Sequence, residues 1–265
     1  MCGIKRMPER ENQMKELIRT YWKTLLFFML MGLVGGFCIG LSSMDSYPAE
    51  VQQQILDQGL NDILLGIVTA IQAVGYGLVF GVVGIILGKK IGLWKDERAI
   101  TKKPLLLAVA VSIIGGMVPI LSDVWFFGRY ENLILESYAA KPTLAYLIGC
   151  VTYGAVIEEV MLRLFMMSLI AWMLWKIFAG KTPQPSVAIL ITANVLSAML
   201  FAAGHLPTTA MLFGITPMIL FRCFLLNGGF GLFFGWLYRK YGIRYAMIAH
   251  GGCHVVSKLI WMFFI

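Results

Sequence analysis

Seven apolar runs divide the chain: Thr24–Met44, Ile63–Gly88, Pro104–Trp125, Thr143–Phe178, Ser186–His205, Ala210–Tyr238 and Tyr245–Ile265. A bilayer core is crossed by about 20 consecutive apolar residues in a helix. The pattern therefore predicts an all-α, polytopic membrane helix bundle with seven or eight transmembrane helices. The count depends on Ala210–Tyr238, where Pro217 and Gly228-Gly229 permit a kink, a re-entrant loop or two short passes. The fourth run is also long, about 54 Å at 1.5 Å per residue, so part of it is expected to project beyond the lipid. Ahead of the first run, Met14, Leu17, Ile18, Tyr21 and Trp22 recur at helical spacing. They predict a short amphipathic, interfacial helix within an N-terminal segment, 1–23. Residues 24–142 then carry three spans and 143–265 the remaining four, in one membrane domain without repeats.

Composition supports the same solvent. Of the 265 residues, 59% are apolar and only 14% charged, with mean hydropathy +0.78. Soluble domains carry about a quarter charged residues, so a soluble enzyme, a disordered chain and a nucleic-acid-binding domain are excluded. The net charge of +8 changes the picture only through its placement. Lys5, Arg6, Arg10, Lys15, Arg19 and Lys23 precede the first run, and a further six bases lie in the connection containing Lys89–Lys103. The fourth connection adds Lys176 and Lys181; the sixth adds Arg239, Lys240 and Arg244. The alternate connections hold only Arg129 and Lys141, and the first of them carries Asp45, Glu50, Asp57 and Asp62. This is a positive-inside pattern. It predicts a multi-pass plasma-membrane protein with a cytoplasmic N-terminus, an outward C-terminus and no nucleic-acid partner. Glycines four apart (Gly36/Gly40, Gly77/Gly81, Gly84/Gly88, Gly231/Gly235) read as close helix contacts in lipid. Five scattered cysteines form neither a disulfide framework nor a metal knuckle.

Chemistry is expected where polar groups interrupt the spans. A charge at the bilayer centre costs at least about 2.5–3.5 kcal/mol on insertion scales. Glu158 and Glu159 nonetheless lie mid-run in Ala155-Val-Ile-Glu-Glu-Val-Met-Leu-Arg163. His205 closes the fifth run, and His250 and His254 lie on the seventh. Glu159 and Arg163, four apart, share a helix face and can pair. Glu158 points about 100° away toward a polar interior. Glu158 and His205 each lie about 23 residues from the turn between runs four and five, so a contact between them is expected. His250, only about eight residues from its own basic turn, does not fit that depth if both turns reach one surface. Arg222 and Lys258 are expected to snorkel or pair locally. These residue types leave three chemistries open: a water deprotonated for attack on an amide, a His/Glu zinc site, or a proton relay.

Glu158-Glu159-x-x-x-Arg163, then Phe201-x-x-x-His205, then His250-x-x-x-His254, resembles the CPBP intramembrane proteases, the CAAX-processing and bacteriocin-processing (Abi) proteins. The likeness covers about Thr143 to Lys258. It implies a bacterial endopeptidase acting in the bilayer on a peptide or membrane-protein substrate, with 143–265 as its catalytic core. By that resemblance Glu158 with His205 activates water, Glu159 and Arg163 orient it, and His250 with His254 holds the oxyanion. His254 stands where the family usually has Asn, so the resemblance admits zinc on Glu158, His205, His250 and His254. The competing reading is a non-proteolytic scaffold, immunity protein or proton-coupled transporter on the same helices.

Overall fold

The computed structural model describes residues 7–96 and 99–265. Residues 1–6 of the N-terminal segment lie outside the description, as does Arg98, so the bases Lys5, Arg6 and Arg98 do too.

The chain folds entirely into helices among the described residues. In order they are α1 (Met7–Leu41), α2 (Ala49–Asp57), α3 (Asp62–Lys90), α4 (Lys102–Trp125), α5 (Asn132–Glu136) and α6 (Leu144–Gly149). α6 runs directly into two π-helical stretches, Cys150–Glu158 and Val160–Met167, and then into α7 (Ser168–Ala179). α8 (Val187–Gly204), α9 (Leu206–Phe213) and α10 (Pro217–Cys223) follow. A third π stretch, Phe224–Gly228, leads into α11 (Gly229–Tyr241), and α12 (Ile243–Phe264) ends the chain. Seven stretches are long and apolar enough to span a bilayer. The protein is an all-α, polytopic membrane bundle. Its outer faces carry Leu30, Val34, Ile71, Ile113, Ile191 and Met199, all at least 42% exposed. Apolar surface on this scale is stable only where lipid covers it.

Three features depart from the sequence reading. The amphipathic segment is not a separate helix, because Met7–Leu41 is continuous; Leu17 and Tyr21 turn to the core while Met14, Ile18 and Trp22 stay exposed. The fifth span does not end at His205. It continues through α9 to Phe213, and the chain breaks at Gly214, whose φ of 72° only glycine adopts without strain. Pro217 then begins the sixth span at the helix position that needs no N–H, with the Thr216 hydroxyl capping Ile219 N at 3.1 Å. Pro217 thus starts a single helix instead of bending or dividing one, and the count is seven.

The turn between α11 and α12 lies against the connection that holds Lys89–Lys103. α11 and α12 are separated by one residue, Gly242, at φ 108°. Tyr238, just before that turn, is fully buried and its hydroxyl lies 2.9 Å from Ser168 Oγ. A Cβ at Gly242 would lie 3.6 Å from Lys95 Cβ, and Thr101 N donates to the Tyr245 hydroxyl at 2.8 Å, so the turn lies against that connection and Tyr238 reaches Ser168 from about one helical turn deeper. Glu159 and His250 nonetheless meet at 2.9 Å, so the 36-residue fourth span extends further past the site on the basic side than α12 does. The glycines serve as expected: Gly36 and Gly40 lie against the α3 backbone at Thr69–Ala70 and Leu65–Gly66, leaving no room for a Cβ. α12 packs along α4, and the principal core gathers Phe28, Ile85, Val160, Leu164, Met167, Phe234, Leu237 and Ala249.

Candidate active site

The site lies on the π-wound segment of the fourth span. In π-helix each N–H reaches back five residues, which widens the turn and lowers the rise per residue, and such stretches recur at functional positions. Glu159 and Arg163 still share a face: Arg163 Nη1 is 3.1 Å from Glu159 Oε1, with both side chains at most 1% exposed. The other face of Glu159 Oε1 takes His250 Nδ1 at 2.9 Å. The guanidinium lies between two rings, 4.4 Å from the Phe201 centroid and 5.4 Å from that of Phe234. Two buried charges are costly to desolvate, and these ring faces supply part of the compensation. Arg163 Nη1 and Nη2 and Glu159 Oε2 have no hydrogen-bond partner, so the pair is held by charge and packing alone. Gly231 makes room for it, since a Cβ there would lie 3.0 Å from Arg163 Nη2.

Glu158 faces elsewhere, as its position next to Glu159 requires. Its side chain keeps 23% exposure, and Oε2 lies 3.9 Å from His250 Nε2. That is too long for a direct hydrogen bond and suits two groups bonded to one water. No hydrogen bond or ion pair joins Glu158 to His205, contrary to the expected contact. Equal counts from the turn give equal depth only where both helices rise uniformly, and the π winding of Cys150–Glu158 and Val160–Met167 removes that uniformity. His205 sits at the joint between α8 and α9 with Nδ1 2.8 Å from Phe201 O. Nδ1–H therefore donates to that carbonyl, and Nε2 of the neutral ring is left as an acceptor.

The imidazoles form a stack. His250 lies flat on Phe234 at 4.6 Å and on His254 at 4.8 Å between centroids. The Phe201 ring stands edge-on to both His205, at 4.7 Å, and His250, at 5.8 Å. His254 packs against Gly154, where a Cβ would come within 2.7 Å of Nε2. That Nε2 is buried and has no hydrogen-bond partner. His205, His250 and His254 all line one cavity of about 570 Å³, whereas Glu158, Glu159 and Arg163 are not part of its walls.

Among the described residues, no three His, Cys, Asp or Glu side chains are grouped to hold a metal ion. The set Glu158, His205, His250 and His254 is not gathered around one point, and the Nε2 of His254 is turned against Gly154. These residues in this geometry do not fit zinc.

Sequence reasoning missed a second polar group on the same cavity. Asp123, near the end of the third run, is fully buried and takes Arg222 Nε and Nη2 at 2.6 Å each. Tyr138 donates to the same carboxylate at 2.8 Å. Burial first, and the Asp123 charge second, push the Tyr138 phenol above its usual range, so it stays a donor. The signal was available in one respect only: Asp123 falls inside the apolar run Pro104–Trp125.

With the geometry in place, comparison with known proteins bears on it. Residues 140–256 match the family described as Rce1-like, type II CAAX prenyl endopeptidase Rce1-like. The match covers under half of the chain, but every residue of the Glu/Arg/His cluster falls inside it. Over these helices the chain resembles a glutamic-protease family related to the CAAX and Abi proteins. The family matched is the Rce1-like one and does not single out the CPBP designation. Searches of the curated proteins and of the solved structures find no significant match.

Proposed function

We propose that the protein is an intramembrane endopeptidase of the CPBP type that hydrolyses a peptide bond of a membrane-associated protein or peptide. The observation that carries this reading is the 3.9 Å gap between Glu158 Oε2 and His250 Nε2, with His250 Nδ1 fixed by Glu159. With its Nδ1–H given to Glu159, the neutral His250 ring presents Nε2 as an acceptor. A water between two acceptors gives one hydrogen to each and keeps its lone pairs free to attack. Glu158 takes the proton as the water oxygen adds to the scissile carbonyl carbon, and the proton passes to the leaving amine as the C–N bond breaks. Glu159 and Arg163 are positioning residues: they hold the ring of His250 without meeting substrate. His254, which lines the cavity, supplies the oxyanion contact from a ring N–H. The pairing differs from that implied by resemblance: His250 replaces His205 as the partner of Glu158.

The cavity's outer wall comes from Ser42, Asp45, Glu136, Tyr138 and Lys141, in connections poor in bases. The opposite, basic end is closed by packing of Tyr238, Leu237, Ile243 and Trp175. Substrate therefore enters from the side away from the basic connections, which under the positive-inside rule is the outer face of a plasma membrane. The test is a comparison of protein termini in cells expressing the wild type or the Glu158→Gln variant. New termini are expected only with the wild type; identical terminus sets at equal expression would overturn the reading.

A further inference from the structure

Lys258 continues the stripe of His250 and His254 on α12, four residues on from each step, and lines the same cavity. Four residues of helix advance about 6 Å, so the three side chains form a line from the buried glutamates toward the cavity's mouth. The ammonium is held in place by two rings, with Nζ 4.8 Å from the Tyr146 centroid and 5.0 Å from that of Trp261. Among the described residues no carboxylate pairs with it. The other cations of this cavity are spoken for or peripheral: Arg222 is matched by Asp123 through two bonds, and Lys141 donates to Trp261 O at 3.4 Å on the exposed rim. A charge kept inside a membrane protein without a counter-ion calls for a reason beyond packing, since a neutral side chain of similar length would fill the same space at less cost. Beside it stands His254, whose ring lines the same cavity.

We infer that Lys258 is a substrate-binding residue that takes a carboxylate of the bound peptide, supplied by a C-terminal α-carboxylate or by an Asp or Glu side chain. The inference rests on the endopeptidase reading for its choice of a peptide. Aromatic rings on two sides restrict where the ammonium can move, so its position relative to His254 is fixed. An extended peptide advances about 3.3–3.6 Å per residue. A carbonyl at the imidazoles and a carboxylate at Lys258 thus belong to one short stretch of chain, and the lysine sets which bond is presented.

The experiment uses the full-length protein in nanodiscs of uncharged phosphatidylcholine. Three probe pools of N-acetylated random heptapeptides are compared: free acids, C-terminal amides lacking Asp and Glu, and amides with one fixed Asp. Retention on the Glu158→Gln variant and cleavage by the wild type are both read by mass spectrometry. Carboxylate-bearing peptides are expected to be retained at least about tenfold over the carboxylate-free amides, as for a hydrogen bond to a charged group. Adding Lys258→Gln should level the pools, and Lys258→Arg should keep the preference. Retention of the free acids alone identifies the α-carboxylate; retention of the Asp amides as well identifies a side chain. Equal retention of all pools by the protein with Lys258 intact overturns the inference without any variant at this position. A preference that survives Lys258→Gln in a protein of unchanged thermal stability overturns it too. Carboxylate-dependent retention with no cleavage by the wild type would refute the endopeptidase and leave the site. Cleavage without a carboxylate preference would refute the site and leave the endopeptidase.

Discussion

Glu159 serves two partners, and its loss separates structure from chemistry. Removing one member of a buried ion pair strands the other and costs about 3–5 kcal/mol. Arg163→Met alone should therefore destabilise the detergent-solubilised protein by that amount in a denaturation experiment. The double variant Glu159→Gln/Arg163→Met should recover most of the stability, with cleavage still lost because the carboxylate that fixes His250 Nδ1 is gone. Equal instability of the single and double variants would contradict the pairing. Gly154→Ala tests the seat of His254 in the same way: a methyl 2.7 Å from Nε2 has to displace the ring. Cleavage should fall at least about tenfold while overall stability changes by about 1 kcal/mol or less, as for a neutral helix position. At this scale much was legible. The i, i+4 spacing of Glu159 with Arg163 and of His250 with His254 survives in the structure. The partner of Glu158 was not legible, because nothing in the sequence Cys150–Met167 announces a π winding. Nor was Asp123, since a carboxylate at the edge of an apolar run reads as a surface group until its partner, 99 residues away, is known.

The elements that place these side chains depend on a few backbone positions. The one-residue turn at Gly242 fixes where α12 starts, and with it the level of His250 opposite Glu159. Its φ of 108° is strained for any residue with a Cβ, and the nearest atom to such a Cβ is Lys95 Cβ at 3.6 Å, so space is not the obstacle. Gly242→Ala is expected to cost about 1–3 kcal/mol of stability and to lower cleavage by moving both histidines together. An unchanged melting temperature would show that this turn does not set the depth of α12. Apolar runs located all seven spans, to within a few residues except at the start of the first, where the helix reaches back through the amphipathic segment, and around His205–Pro217. There the run ends at His205, whereas the helix continues past Pro207 as α9 and the break falls at Gly214. A proline in the first turn of a helix is compatible with helix on its far side, so it marks a joint here and not an end.

For the whole molecule, polarity and access are one question. The cavity reaches the connections that hold few bases, and the basic end is packed shut. In a cysteine-free background, Glu136→Cys should react with a membrane-impermeant maleimide in intact cells, and Lys181→Cys only after permeabilisation. The reverse labelling would place the cavity's mouth in the cytoplasm. Composition foretold the bundle, and charge placement predicts the orientation that this labelling tests; a cavity joining three histidines to one face could come only from the packed helices. The central claim is that Glu158 and His250 act on one water. Cleavage rates of the purified wild type, Glu158→Gln, His250→Asn and the double variant test it most directly. If the two groups share that water, each single change lowers the rate by about 10²–10⁴ and the double change lowers it no further. A double variant slower by the product of the two single losses, or either single variant cleaving at the wild-type rate, would contradict the account.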